Sequence, residues 1–145
     1  MTDLTDTRAF PALPAPAVRA ALADWGLRAA FAGIFLFHGL SKLADLEGGA
    51  AMMGLALPVW ALVALAETAA GAGILVGGVA RGRIGDAITR LSGLAVVPVM
   101  IGAIATVHWG RWSFVPSEIH PMGGMEFQVL LVALGLAYAL RGNSR

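Results

Sequence analysis

Apolar residues fall into four long blocks along the chain, at about 25–43, 58–80, 88–107 and 123–140, separated by short polar connections. A hydrocarbon core of about 30 Å needs about 20 helical residues to cross, and each block approaches that length. Backbone groups in lipid must be paired internally, so helices are the natural assignment. No alternation in segments of about ten residues recurs, which argues against a barrel. The pattern therefore predicts an all-α fold, a four-transmembrane-helix bundle over residues 21–145. A Pro-rich arm over residues 1–20 precedes it. Pro58 suits the first turn of the second span. Pro98 is expected to kink the third by leaving a carbonyl unpaired one turn earlier. Ala69, Gly73 and Gly77, spaced by four, predict a face where another helix comes close.

Composition strengthens the reading. The chain is 58% hydrophobic and only 13% charged, against about 45–50% and about 25% in soluble domains. One small core cannot bury that much apolar surface, so lipid is the expected solvent. A net charge of +1 gives no nucleic-acid footprint. The absence of cysteine excludes disulfides, Fe–S clusters, thiolate zinc sites and covalent c-type haem. The first 20 residues lack the basic and apolar regions of a signal peptide, and read as a retained, water-exposed arm. "GGVARGRIGD" is glycine-rich but follows no strand, so it is not a phosphate loop.

Charge then sets an orientation. Arg8, Arg19, Arg28, Arg81, Arg83, Arg90, Arg141 and Arg145 all lie on one side of the predicted bundle, and Lys42 and Arg111 on the other. The positive-inside rule places both termini in the cytoplasm and the connections 44–57 and 108–122 outside, in a multi-pass protein of the cell inner membrane. Trp25 and Tyr138 fall at inner boundaries, and Trp60, Trp109 and Trp112 at outer ones, where amphipathic rings favour the headgroup level.

With that orientation His38, His108, His120, Lys42, Glu67, Glu118 and Glu126 all lie in the outer half. Glu67 sits about 12 Å along its helix from the outer end. A carboxylate facing lipid there would cost at least a few kcal/mol, so it should face the interior, either as a packing element or as a functional group. His38 and Lys42 are four apart and share a helix face, which is expected to turn toward Glu67. Lys42 either snorkels to the headgroups or pairs with Glu67 or a ligand. His38 is either a neutral imidazole satisfied inside the bundle or a ligand contact. His108 ends the third span at similar depth, and "WGRWSF" is an interfacial loop whose aromatics, Trp109 among them, suit covering a ring. No His-x-x-His or Glu-x-x-His spacing supports a metal site. A haem held by His38 and His108 is the weaker cofactor reading.

The segments "LRAAFAGIFLFHGLSKL", "ALAETAAGAGILVGGVARGR" and "GGMEFQVLLVALGLAYAL" resemble, in order, the first, second and last helices of the DoxX family. Arg28, His38, Gly39, Lys42, Glu67, Gly71 and Glu126 match its pattern. The family often ends on a glycine-rich turn and an acidic residue, where this chain has the basic "LRGNSR". The resemblance implies a small four-helix membrane protein associated with quinone-linked oxidoreductases. On that basis Glu67 and His38 are the expected catalytic groups, His38, Lys42, His108 and Trp109 the expected quinone contacts, and other membrane subunits or a homo-oligomer the expected partners. The alternatives are a non-catalytic structural or assembly subunit, and a transporter, for which no inverted repeat speaks.

Overall fold

In the computed structural model, residues 15–143 are described. The Pro-rich arm up to residue 14, with Arg8, and Arg145 lie outside them. Helix α1 spans Pro16–Ala44, α2 Leu46–Met53, α3 Leu57–Val79, α4 Gly82–Ala103 and α5 Glu126–Arg141; a π-helical turn, Ile104–His108, extends α4. The helices pack in sequence order, α1 on α3, α3 on α4 and α4 on α5. Phe31, Phe35, Ile74, Val96, Met100, Leu131 and Tyr138 form the core between them.

The element boundaries differ from the hydropathy pattern for local reasons. Helix α1 starts at Pro16, where a proline without an N–H loses nothing in the first turn, and runs through the end of the expected arm. Its 29 residues rise about 44 Å, more than the hydrocarbon core. Pro58 occupies the first turn of α3, as expected. Helix α4 begins six residues before the expected 88, leaving only Ala80 and Arg81 between α3 and α4. It continues through Pro98 to Ala103. The connection expected at 44–57 contains a helix that hydropathy did not predict: the Asp45 side chain accepts from the Gly48 N–H at 2.9 Å and caps α2.

Three helices, Pro16–Ala44, Leu57–Val79 and Gly82–His108, are long and apolar enough to cross a membrane. The expected fourth span is corrected. Helix α5 has 16 residues, about 24 Å of rise against a core of about 30 Å. It loses its first turn to the preceding loop. Gly123 has φ +79°, which helix cannot use, and the Met125 N–H bonds the Arg111 carbonyl at 2.9 Å.

Close backbone approach sets the helix spacing. A Cβ on Gly39 would lie 2.6 Å from the Thr68 nitrogen, and one on Gly71 2.9 Å from the Leu36 nitrogen. Only glycine lets α1 and α3 lie this near each other. The spaced small residues of α3 meet α4, Gly73 against Ser92 and Gly77 against Thr89, while Ala69 is exposed. Leu62, Leu65, Leu91, Leu94, Ile101 and Leu130 are exposed on the outside of the bundle. In water they would be a liability; against acyl chains they are solvated.

Candidate functional site

Two buried charged centres stand at opposite ends of the bundle. At one end, Glu67 on α3 is 3% exposed, and its Oε2 accepts from Lys42 Nζ of α1 at 2.6 Å. Among the described residues Lys42 is the carboxylate's sole hydrogen-bond partner. An ionised carboxylate offers about four lone-pair sites, so most of its accepting capacity is unused. The Lys42 side chain is 17% exposed. Its ammonium also lies 5.4 Å from the centre of the Trp60 ring, within cation–π range. The sequence expectation that Lys42 and Glu67 meet is met, and the ion pair ties α1 to α3.

His38 differs from expectation. It is exposed, makes no hydrogen bond through its ring among the described residues, and packs edge-on to Phe37 at 5.3 Å. Residues seven apart share a helix face, and Phe31, seven before His38, meets Tyr138 of α5 edge-on at 5.8 Å. Two turns further along α1, that face has lost its cover. On α5, Phe127 is likewise exposed and lines an open groove of about 570 Å³ with Trp112, Phe114, Leu130 and Glu126. Helices α1 and α5 meet at the Tyr138 end, and no residue of α1 lines that groove.

His108 and Trp109 are placed elsewhere. The π turn carries His108 inward, where its Nδ1 lies 2.9 Å from the Gly123 carbonyl. A carbonyl only accepts, so Nδ1 carries the proton, and Gln128 Nε2 donates to Nε2 of the ring at 3.0 Å. Both nitrogens are thus engaged in clamping the 109–125 loop. Trp109 is exposed, and its carbonyl accepts from His120 Nε2 at 3.0 Å. Neither residue contacts Lys42 or Glu67, and a haem ligated through His108 would have to break one of its bonds. Trp60, expected at the headgroup level, is instead buried to 9% exposure. Among the described residues no group of three or more ligating side chains is arranged to hold a metal ion.

At the opposite end, sequence reasoning missed the second centre. It read Arg28 as a boundary charge, yet Arg28 is 2% exposed. Its Nε donates to Asp24 at 2.8 Å, one terminal nitrogen donates to the Ile74 carbonyl at 2.7 Å and Thr89 Oγ1 at 3.2 Å, and the other to Asn143 Oδ1 at 2.7 Å. The guanidinium also stacks 5.1 Å from the Tyr138 ring centre. Asn143 in turn donates to the Gly77 carbonyl at 2.6 Å, and its backbone N–H to Asp86 at 2.7 Å. Asp86 is paired with Arg90 and Asp24 with Arg141. Helices α1, α3, α4 and α5 all contribute. The available signals were Asp24, four residues before Arg28, and the polar Asn143 within "LRGNSR".

The bundle, its lipid-exposed apolar surface and a buried ion pair beneath that surface define a small integral membrane protein. The family model DoxX matches residues 23–109, from the first third of α1 to the end of the π turn, and the chain belongs to the DoxX family. Arg28, His38, Gly39, Lys42, Glu67 and Gly71 lie inside the matched stretch; Glu126 and α5 lie outside it. No match is found among curated proteins or among solved structures.

Proposed function

We propose that this DoxX protein is a quinone-interacting subunit of an inner-membrane oxidoreductase complex, and that its site is the Lys42–Glu67 pair approached from the exposed face of α1 that carries His38. The observation that carries the reading is the pair itself: a buried carboxylate with spare acceptor capacity, bonded to an ammonium that still reaches the surface. Quinone sites are apolar clefts with a few placed polar groups. The glycine contacts at Gly39 and Gly71 leave no room for a ring between α1 and α3, so the headgroup would lie at the rim, over His38 and Lys42. Lys42 would donate to a ring carbonyl. On oxidation of the quinol, Glu67 and His38 would each accept one of the two protons released, and the two electrons would leave to a partner subunit that holds the acceptor. The charge distribution supports cytoplasmic termini, which would put this site in the outer half.

The same close packing favours a second reading, a non-catalytic assembly subunit in which Lys42 and Glu67 only cement α1 to α3. Gentle solubilisation followed by solvent extraction separates the two. Quinone retained by the wild type and lost in Glu67→Gln and Lys42→Met supports the first reading. Quinone absent from the wild type, with oxidoreductase activity of the complex unchanged in a Glu67→Gln, His38→Ala double variant, sinks it.

A further inference from the structure

Trp60 lies directly beside the ion pair, and neither the family resemblance nor the proposed chemistry gives it a task. Its ring takes the Lys42 ammonium on one face. Its indole Nε1–H is buried and has no acceptor among the described residues. Buried N–H groups without a partner are rare in folded proteins, and each calls for an explanation. What covers this one is α2: a Cβ on Gly49 would lie 2.5 Å from Trp60 Nε1, so the indole edge presses against the glycine backbone. Helix α2 is weakly held in place. It has eight residues, with Gly48 and Gly49 in its interior, and a helix this short is marginal without tertiary support. It is bounded by the Asp45 cap and by Gly54 at φ +64°, a backbone conformation that glycine adopts freely.

From this we infer that Trp60 is a ligand-binding donor, the second beside Lys42, and that α2 moves off Gly49 to present its N–H to an acceptor oxygen carried on an apolar ring or chain. The inference rests on the Lys42–Glu67 reading for the place of the ligand. Two donors from adjacent turns of different helices, one neutral and one cationic, suit a carbonyl oxygen, which accepts through both lone pairs. Glu67 holds Lys42 in position while leaving part of its ammonium accessible. Gly49 has a task as well: a larger side chain at that position would hold α2 away from the indole permanently.

The test uses the full chain in lipid nanodiscs with isotope-labelled tryptophan. The Trp60 indole resonance is assigned by its loss in Trp60→Phe, a change that keeps a ring under Lys42. Decylubiquinone and dodecanoate are titrated in turn. The expected result is a downfield shift of the Trp60 indole proton, with affinity falling about tenfold in Trp60→Phe, the loss of roughly one hydrogen bond. Gly49→Ala is expected to speed exchange of that indole proton with D₂O in the absence of ligand. A shift with dodecanoate but not with decylubiquinone sustains the Trp60 inference and overturns the quinone reading. Decylubiquinone retained on extraction with the Trp60 resonance unmoved overturns the inference and leaves that reading standing. No shift with either probe overturns the inference outright.

Discussion

Arg28 and Glu67 are both buried charges in a membrane bundle, and they are handled in opposite ways. Arg28 has nearly every donor engaged, by a carboxylate, a carbonyl and a hydroxyl from three helices and an amide from the residues after α5. Glu67 has one hydrogen-bond partner, and that partner is partly open to the surface. Burying a charge is costly unless its hydrogen-bonding capacity is filled. A filled centre has nothing left to offer a ligand and serves to fix the fold. A centre filled only in part retains bonding capacity, and the surrounding structure must supply the missing stability. Here the glycine-close α1–α3 contact supplies it. The difference makes the Arg28 end architectural, and under the proposed function it leaves the Lys42 end as the place where chemistry would occur.

The comparison can be broken in order of expected effect. Arg28→Ala should be the most damaging substitution, because it removes the donor shared by Asp24, the Ile74 carbonyl and Asn143. Breaking a buried pair typically costs about 3–5 kcal/mol, so the variant should lose most of its thermal stability in detergent or fail to accumulate. A stable Arg28→Ala protein would refute the architectural role. Asn143→Ala removes a group that bridges Arg28, Thr89 and the Gly77 carbonyl. Leaving those partners unsatisfied should cost about 1–3 kcal/mol, measurable as a lower unfolding midpoint with quinone retention unchanged. Glu67→Gln keeps the shape and an acceptor oxygen for Lys42. It should cost less stability than Asn143→Ala while abolishing retained quinone; the reverse ranking would move the architectural centre to Glu67. His38→Ala should change stability by no more than about 0.5 kcal/mol, as for exposed sites. It should still weaken quinone retention, and an unchanged affinity would remove His38 from the site.

Much of the Lys42 end is legible in the residues. A glutamate in the middle of an apolar helix has few tolerable environments, so its burial and pairing follow from the cost of facing lipid. Lys42, near the end of the neighbouring helix, is a natural partner. The side chains with several possible environments were harder. His108, Trp109 and Trp60 all stand near predicted boundaries, and hydropathy gives them one label. The structure separates them: one residue is clamped by a π turn, one faces outward and one lies beneath a helix that the apolar pattern did not contain. Arg28 was obscured for a related reason. An arginine near the end of a span satisfies the positive-inside pattern whether or not it is buried, and only its partners tell the cases apart.

By itself the sequence determined the solvent, the helical class and the buried carboxylate, because each follows from the cost of exposing the wrong group to lipid residue by residue. It also determined the family, through residues spread over α1 and α3. What only the tertiary structure decided depends on contacts between segments distant in the chain. Helix α5 is short because Gly123 takes a positive φ and the Met125 N–H bonds back to the Arg111 carbonyl. His38 is exposed although Phe31, two turns earlier on the same face, is buried against Tyr138 of α5. Arg28 is buried because Asn143, 115 positions on, folds back to accept its hydrogen bond. Periodicity along one segment does not contain such contacts, since it fixes which face a residue occupies but not what, if anything, comes to lie against that face.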